Sequence, residues 1–432
     1  DDCSSRGLGD VYKRQGEDVK LYDGSISSTG TVSLTAGRDG TTTNGIYSAA
    51  AADATTDVSA ANLDLTVNGG GIGQSGGSTL EFTASTQLDA EAGGAIHLTS
   101  TTDLPVGLIE VSGTAANVSL VATGSITDVD ATEASDVMNA NVLSLTSTTG
   151  VGTTGKTGAL EIDATSLSVA NATSGGVFLN GQGTGGLTVT SIAANTAGNV
   201  ELYASEDLTL TSVTSADGSI TVTGEGTISA TSVVSTTDSD SNDIALYGTG
   251  ITATLIDAKT LGDVTLTATT GSIAQDTTDD KDDVTADVLT ASAATGIDLD
   301  STVSSITASV SGTGNLVLDE ANAITLTDLD ANNGTISVTA GGAITATDVA
   351  TASDNDVSLT TTSGDITGLA LVNAGSGSVS LTSASAIVDD GTASTVITAG
   401  ALTADAAGAM TLDTSVDSTD LSTSAAGSIS VD

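Results

Sequence analysis

Six aspartates fall within twelve residues of this chain, a density that points to cation chemistry. They are Asp276, Asp279, Asp280, Asp282, Asp283 and Asp287. Hard cations such as calcium prefer several carboxylate oxygens as ligands, and mutual repulsion among the carboxylates would favour binding one. The sequence therefore offers these six residues as a candidate calcium site. A solvated acidic loop is the alternative, and no other cofactor is expected.

The chain has few residues that could carry out catalysis. His97 is its one histidine and lies between Ile96 and Leu98, so strand alternation predicts that it faces outward. Cys3 is its one cysteine. A nucleophile–histidine–acid set cannot be assembled from these residues. We therefore expect no enzymatic activity and assign no catalytic residue.

A polysaccharide-degrading β-helix enzyme is nevertheless an alternative. Lyases of that kind commonly use basic side chains beside acids. Beyond the amino-terminal segment 1–15 the basic side chains are scattered: Lys20, Arg38, Lys156, Lys259 and Lys281. Hydrolases need only two carboxylates about 5 to 9.5 Å apart. Aspartate is too abundant in this chain for such a pair to be recognised from sequence.

A short phrase that recurs at a nearly constant interval indicates which elements must position these side chains. It reads GSITVT from Gly218, GDVTLT from Gly262, GTISVT from Gly334 and GSVSLT from Gly377. Its two branched apolar residues flank a polar one, so both would lie on one face of a strand. Self-similarity at a fixed period is typical of stacked repeats.

The paired apolar positions recur in similar steps along the chain, apart from two longer gaps. The pairs are Val200/Leu202, Ile220/Val222, Ile244/Leu246, Val264/Leu266, Ile297/Leu299, Leu316/Leu318, Ile336/Val338, Val357/Leu359, Val379/Leu381, Met410/Leu412 and Ile429/Val431. A Gly-x-Ile phrase follows many pairs, as at Gly342. A single coil cannot bury its own apolar row, so coils must stack. The sequence predicts an all-β fold, a parallel β-helix (β-solenoid) of about 20-residue coils with right-handed winding.

The repeats divide the chain into three parts. Residues 1–15 resemble translated adaptor read-through at the ends of metagenomic reading frames, and we expect a non-native or disordered leader there. Residues 16–198 are expected to form a solenoid with looser repeats and longer loops, with one or two helical turns in the alanine-rich segment 49–61. Residues 199–432 are expected to continue it regularly, as an interior fragment truncated at its carboxyl end.

Composition limits the partners. The net charge is −46, from 54 acids against 8 bases, and 44 of the acids are aspartate. Such a surface repels nucleic acid and anionic membranes, whose protein partners need basic patches. No run reaches the roughly 18 apolar residues of a membrane span. We therefore expect neither nucleic-acid binding nor membrane insertion.

The repeated phrases resemble those of filamentous-haemagglutinin-like adhesins and of the passenger regions of large autotransporters. GTVSLTAG from Gly30 and GAIHLT from Gly94 extend the resemblance over residues 16–432. It implies a structural stalk segment of a large secreted or cell-surface bacterial adhesin, which would be extracellular or at the bacterial surface in association with the outer membrane. The implied partners are flanking coils of the same protein, an outer-membrane secretion pore and an unidentified cell-surface or glycan target. A threonine-rich ice-binding solenoid is a further alternative, because Thr-x-Thr motifs recur.

Overall fold

The computed structural model describes most of the chain as stacked strands. The described residues are 11–14, 18–21, 26–37, 44–48, 56–74, 79–113, 115–129, 135–171, 173–276, 282–392, 396–425 and 427–432. They contain 42 strands and no helix, and they form about 16 turns of parallel coil. The chain divides into two compact units, unit 1 (Asp1–Glu225) and unit 2 (Gly226–Asp432).

Unit 1 contains the first 19 strands. They are β1 (Val11–Arg14), β2 (Val19–Leu21), β3 (Ile26–Ser27), β4 (Thr31–Ala36), β5 (Ile46–Ser48), β6 (Val58–Val67), β7 (Leu80–Ala92), β8 (Ile96–Ser100), β9 (Leu104–Val111), β10 (Val118–Ala122), β11 (Ile126–Asp128), β12 (Val137–Ser147), β13 (Leu160–Asn171), β14 (Val177–Gly181), β15 (Leu187–Ala194), β16 (Val200–Ala204), β17 (Leu208–Leu210), β18 (Val213–Ser215) and β19 (Ile220–Gly224).

Unit 2 contains the other 23 strands. They are β20 (Ile228–Ala230), β21 (Val233–Ser235), β22 (Ile244–Gly248), β23 (Ile251–Ala253), β24 (Ile256–Asp257), β25 (Val264–Ala268), β26 (Ile273–Gln275), β27 (Val284–Ala293), β28 (Ile297–Thr313), β29 (Leu316–Glu320), β30 (Ile324–Asn333), β31 (Ile336–Ala340), β32 (Ile344–Ala346), β33 (Asp348–Thr351), β34 (Val357–Thr361), β35 (Ile366–Leu369), β36 (Leu371–Asn373), β37 (Ser378–Ser383), β38 (Ile387–Asp389), β39 (Val396–Ala406), β40 (Met410–Leu412), β41 (Thr414–Thr423) and β42 (Ile429–Val431).

Coils stack in parallel with apolar residues directly over apolar residues. In unit 1, Val177 pairs with Val200, which pairs with Ile220. In unit 2, Ile336 pairs with Val357, which pairs with Val379. This register confirms the predicted parallel β-solenoid. Because such strands hydrogen-bond to the coil before and the coil after, the backbone groups that a lone coil would leave open are satisfied.

The predicted apolar pairs form the core. From Val200/Leu202 to Met410/Leu412, every predicted pair is buried. The prediction is wrong for the last pair, since Ile429 and Val431 are 43% and 45% exposed. Their strand β42 pairs with the earlier strand β40, and among the described residues no later strand lies against it. The Gly-x-Ile phrases are confirmed as core, with Ile344 and Ile366 fully buried.

After a long gap in the repeat, the strand that carries an apolar pair can stack on the strand of a Gly-x-Ile phrase. Ile297 lies over Ile273, which belongs to a Gly-x-Ile phrase, rather than over Val264. Val264 instead pairs with Leu289 in β27, a strand inside the gap. The exchange is possible because both phrases present the same alternation of branched apolar residues. Each column therefore stays apolar although its phrases change.

Several strands bend where the alternation slips by one residue. In β6, Ala61 and Asn62 are consecutive residues that both face away from the core, and the register with β7 shifts there. In β39, Gly400 and Ala401 mark a similar slip. Two outward residues in a row turn the strand around a corner of the coil without breaking it.

The structure bears on two predictions for the amino-terminal part of the chain, the helical turns in 49–61 and the leader 1–15. The predicted helical turns in 49–61 are wrong where the structure describes the segment, because Val58–Ala61 lie in β6; residues 49–55 lie outside the described residues. Within residues 1–15, Val11–Arg14 form β1, which pairs with β4. The non-native origin of that segment stays a prediction.

The glycine that opens each phrase permits close stacking. A Cβ atom added to Gly334 would lie 1.8 Å from the backbone carbonyl oxygen of Gly314. A backbone atom cannot move aside as a flexible side chain would. The phrase therefore begins with glycine because one coil's backbone rests directly on the previous coil's.

Candidate functional site

Corner aspartates link successive coils. The Asp356 carboxylate accepts a hydrogen bond from the Ser378 backbone N–H at 2.8 Å, and Asp365 accepts one from the Ala386 N–H at 2.8 Å. In unit 1, Asp103 accepts one from the Ser125 N–H at 2.8 Å. In each case the acceptor lies on the earlier coil and the donor on the later one. These contacts form a one-way ladder and give the abundant aspartates a structural role.

The ladder also affects ionisation. Hydrogen bonds from Ser385 and Ala386 hold the pKa of Asp365 below its usual value, because they stabilise the charged carboxylate. Asparagines take the same place elsewhere: Asn199 accepts from the Ser219 N–H at 3.1 Å, and Asn315 accepts from the Thr335 N–H at 3.1 Å. The role therefore requires an oxygen acceptor and not a charge.

Of the six aspartates predicted as a calcium site, Asp279 and Asp280 lie outside the described residues. Asp276 accepts a hydrogen bond from the Thr254 hydroxyl at 3.3 Å. Asp282 accepts one from the hydroxyl of Thr302 on the next coil. Both contacts are polar links between coils. The Asp282 contact has the direction of the ladder, whereas in the Asp276 contact the donor lies on the earlier coil.

The remaining two candidates lie in different surroundings. Asp283 is 1% exposed, and its N–H donates to the Asp300 carbonyl oxygen at 2.9 Å. Asp287 lies close to Asp263, whose pKa is raised first by burial and then by the charges of Asp243, Asp287 and Asp240. Asp287 thus joins a corner column of acids. A calcium ion bound by the six aspartates stays a prediction.

A compact acidic cluster in unit 1 was not predicted from the sequence. Carboxylate oxygens of Asp128, Asp136 and Glu161 lie within 4.8 Å of one another, and Asp136 and Glu161 are buried. The Glu161 N–H donates to Asp136 at 3.3 Å, and the Asn180 amide donates to Glu161 at 3.3 Å. Oxygen ligands at this spacing could hold a hard cation.

The arrangement around Asp136 recurs in the chain. Three Asp-Val dipeptides (Asp57-Val58, Asp136-Val137 and Asp283-Val284) each begin a long strand, and in each the aspartate N–H donates to the carbonyl of an acid on the next coil (Glu81, Glu161 and Asp300, respectively). All three aspartates are buried. The dipeptide is a sequence signal that could have identified these sites, but aspartate is so common here that three Asp-Val pairs do not stand out.

The Asp57 site shows how burying two acids side by side affects their ionisation. Asp57 accepts hydrogen bonds from the Glu81 N–H at 3.1 Å and from the Ser48 hydroxyl at 3.3 Å. Burial, with a further contribution from the Glu81 charge, raises the pKa of Asp57 to about 6 despite those hydrogen bonds. Two acids brought together away from water favour retention of a proton.

Glu320 is a buried carboxyl in unit 2 whose pKa is also raised. It accepts hydrogen bonds from the Ser301 hydroxyl at 2.7 Å, the Val303 N–H at 3.2 Å and the Asn322 N–H at 3.2 Å. Burial nevertheless raises its pKa to about 7, and the nearby charge of Asp282 adds to the shift. The group therefore titrates near neutral pH inside unit 2.

Unit 1 also carries a groove of about 590 Å³ and an adjoining depression of about 400 Å³, which share Glu110 and Ser112. We call the two together the acidic groove. Its floor residues are small or branched: Val67, Ala92, Val111, Ala140, Ala164 and Gly183. Glu91, Glu110 and Asp163 line it as carboxylates.

Two backbone features lie at this groove. Glu91 and Glu110 occupy directly opposed positions on adjacent strands. Asn139 adopts a left-handed conformation with φ of 61°, at an irregularity in β12 between Val137 and Ala140. A non-glycine residue in that conformation costs free energy and is enriched at functional sites.

His97 behaves as its alternation predicts. Ile96 and Leu98 are buried, while His97 between them is half-buried. That partial burial lowers its pKa below the usual histidine value. The shift favours the uncharged form of the ring.

No protein-family model, curated protein or solved structure matches this chain. Among the described residues, no helix is of a length and apolarity suited to crossing a bilayer. The functional argument therefore depends on the coil architecture and on the geometry just described.

Proposed function

We propose that this chain is a structural stalk segment of a large, secreted bacterial surface adhesin. Its role would be to hold a binding region away from the cell, and it would take part in no catalytic step. The observation that supports this most is the one-way ladder together with the continuous apolar columns. The apolar columns join successive coils within each unit, and the ladder adds a polar link at the corners where it occurs.

The ladder supports a stiff spacer because its contacts are short and repeated. Asp354 and Asp356 on one coil accept hydrogen bonds from Ser376 and Ser378 on the next, each at 2.8 Å. Charge-assisted hydrogen bonds of this kind are stronger than neutral ones. The resemblance of the repeated phrases to adhesin shafts supports the same function.

The stiffness of unit 2 can be measured with spin labels on one outer column. Thr252 and Thr403 are exposed and are linked through seven coil steps in continuous register. At about 4.8 Å per step, a stiff stack places them about 34 Å apart. Cysteines at both positions, in a Cys3→Ser background, would be labelled and their separation measured by pulsed electron paramagnetic resonance.

The pair Thr252/Ser337, four steps apart in the same column, is the matched ruler and should give about 19 Å. A stiff spacer should give narrow distance distributions for both label pairs, and their mean distances should differ by the length of three coil steps. Broad distributions under native conditions would contradict the stalk proposal. Release of reducing or unsaturated ends from a panel of bacterial and plant polysaccharides would contradict it independently, in favour of an enzyme.

A further inference from the structure

We propose that the acidic groove of unit 1 is a docking site for an extended, basic peptide segment of a partner protein. The groove lining comes from six successive coils. Their five links are the pairings of Val67 with Ala92, Ala92 with Val111, Glu110 with Met138, Ala140 with Ala164, and Ile162 with Gly181. Five steps of about 4.8 Å make a length of about 24 Å. An extended peptide of about seven residues has that length.

The carboxylates that line the acidic groove favour a positively charged ligand. Glu91, Glu110 and Asp163 line the groove, and no lysine or arginine is among the described residues that line it. Like charges directly opposed on neighbouring strands destabilise a sheet, and Glu91 and Glu110 are opposed in this way. A ligand with positive charges would relieve that repulsion.

The geometry of the third carboxylate fits the same role. A Cβ atom added to Gly183 would lie 2.6 Å from the Asp163 carboxylate oxygen. Asp163 therefore lies over the glycine, within the groove rather than away from it. The absence of a side chain at Gly183 leaves the carboxylate in that position and keeps the floor low.

The lining favours a peptide over a sugar. No aromatic ring is among the described residues that line the groove, so a pyranose ring would find no stacking partner. Asn139, Asn141 and Thr165 line it instead. Amide and hydroxyl groups of this kind bond readily to the N–H and C=O groups of an extended main chain.

The test uses the full chain and a fluorescein-labelled octapeptide of alternating lysine and serine, followed by fluorescence anisotropy. The groove variant combines Glu91→Gln, Glu110→Gln and Asp163→Asn. The matched control combines Glu225→Gln, Asp319→Asn and Asp417→Asn, all of which are exposed residues outside the groove. Both variants lose three charges, so their bulk electrostatic attraction falls equally.

We expect the groove variant to weaken binding by about tenfold or more, and the control by less than about twofold. Circular dichroism verifies that both variants keep their β signal. Equal weakening in the two variants would overturn the proposal, because it would show attraction to the net charge alone. Equally tight binding of the octapeptide with glutamine in place of lysine would overturn the charge argument.

Two competitors separate other occupants. Spermine that displaces the octapeptide at equal amine concentration would show a small polyamine site, and a cationic chitosan hexamer that displaces it more strongly would show a glycan site. Either result would overturn the peptide proposal. The peptide proposal is supported if unlabelled octapeptide displaces the labelled one and neither spermine nor the chitosan hexamer does so in this way.

Discussion

The coils around residues 58–171 and those around residues 336–389 bury the same kinds of apolar residue behind different corners. Between Ile336 and Asp389, strands are three to six residues long and corners are sharp. Between Val58 and Asn171, four strands (β6, β7, β12 and β13) are each at least ten residues long and bend instead. The coils around residues 58–171 also hold two of the three buried Asp–acid pairs, Asp57/Glu81 and Asp136/Glu161, and most of the acidic groove.

This difference shows where the solenoid can vary. In the regular coils the buried polar residues are small and close their own turns: Thr361 donates to the Gly364 carbonyl at 3.1 Å, and Ser383 donates to the Ala386 carbonyl at 2.9 Å. In the bent coils the buried polar residues include Glu81, Asp136 and Glu161. The regular coils thus bury only small polar side chains that close a turn, whereas the bent coils also bury carboxyl groups that do not close one.

The largest expected effect tests whether the two regions share one kind of core. Leu359→Ala in a regular coil and Leu143→Ala in a bent coil should each lower the free energy of unfolding by about 2–5 kcal/mol, because both side chains are fully buried. Urea unfolding followed by circular dichroism measures this. Leu371→Ala, at a residue 38% exposed, should change it by less than about 0.5 kcal/mol. A large loss of stability for only one of the two buried leucines would contradict the view that regular and bent coils share one kind of apolar core.

The second effect sharpens the contrast in buried charge. Glu161→Gln should stabilise the protein at pH 8 by about 1 kcal/mol, or about 2–4 °C in melting temperature, because a neutral amide replaces one carboxyl group in a cluster of three acids, two of them buried. Destabilisation at pH 8 in EDTA would refute the repulsion argument. Calcium that stabilises the parent chain but not the variant would identify the cluster as a cation site.

The third effect concerns Glu320, whose pKa rises from 4.5 to about 7 on folding. The native state holds this proton more tightly than the unfolded chain does. Its contribution to stability is therefore fully present below about pH 4.5 and is lost as pH rises to about 7. Glu320→Gln should flatten the melting temperature between those values. An unchanged slope would exclude Glu320 as its source.

The smallest effect concerns the ladder in the regular coils. Asp365→Ala should cost about 1 kcal/mol, since it removes the acceptor for the Ala386 N–H, whereas Asp365→Asn should cost less. Because folding lowers the pKa of Asp365, its charge-dependent contribution is present above the usual aspartate pKa and is lost as pH falls. Chemical unfolding at pH 7 and pH 3 checks both points. Equal costs for alanine and asparagine would contradict the acceptor role.

The sequence was sufficient for the repeats and their core. Val357 and Leu359 could be assigned to the interior because alternation on a strand is local. The bend at Ala61 and Asn62 could not, since two outward residues in a row look like a loop. The exchange of Ile297 onto the Ile273 column was also hidden, because chemically equivalent phrases can stack on one another.

The candidate sites were harder to predict for a physical reason. Glu81 lies between Leu80 and Phe82, so alternation predicts an outward side chain, yet all three are buried. The backbone and carboxylate of Asp57, on the previous coil, meet the Glu81 backbone there. The acidic groove likewise draws its lining from six coils separated by unequal numbers of residues. Sites made between coils depend on register, which a single sequence does not display.

The one-way ladder has a consequence for how the chain acquires its shape. Asp103, Asp356 and Asp365 stand ready as acceptors on coils that precede their donors. A finished coil is thus a template whose open oxygens face the next segment to arrive. Winding can advance from the amino end as the polypeptide emerges, with each new turn captured by the last, and without waiting for distant parts of the chain.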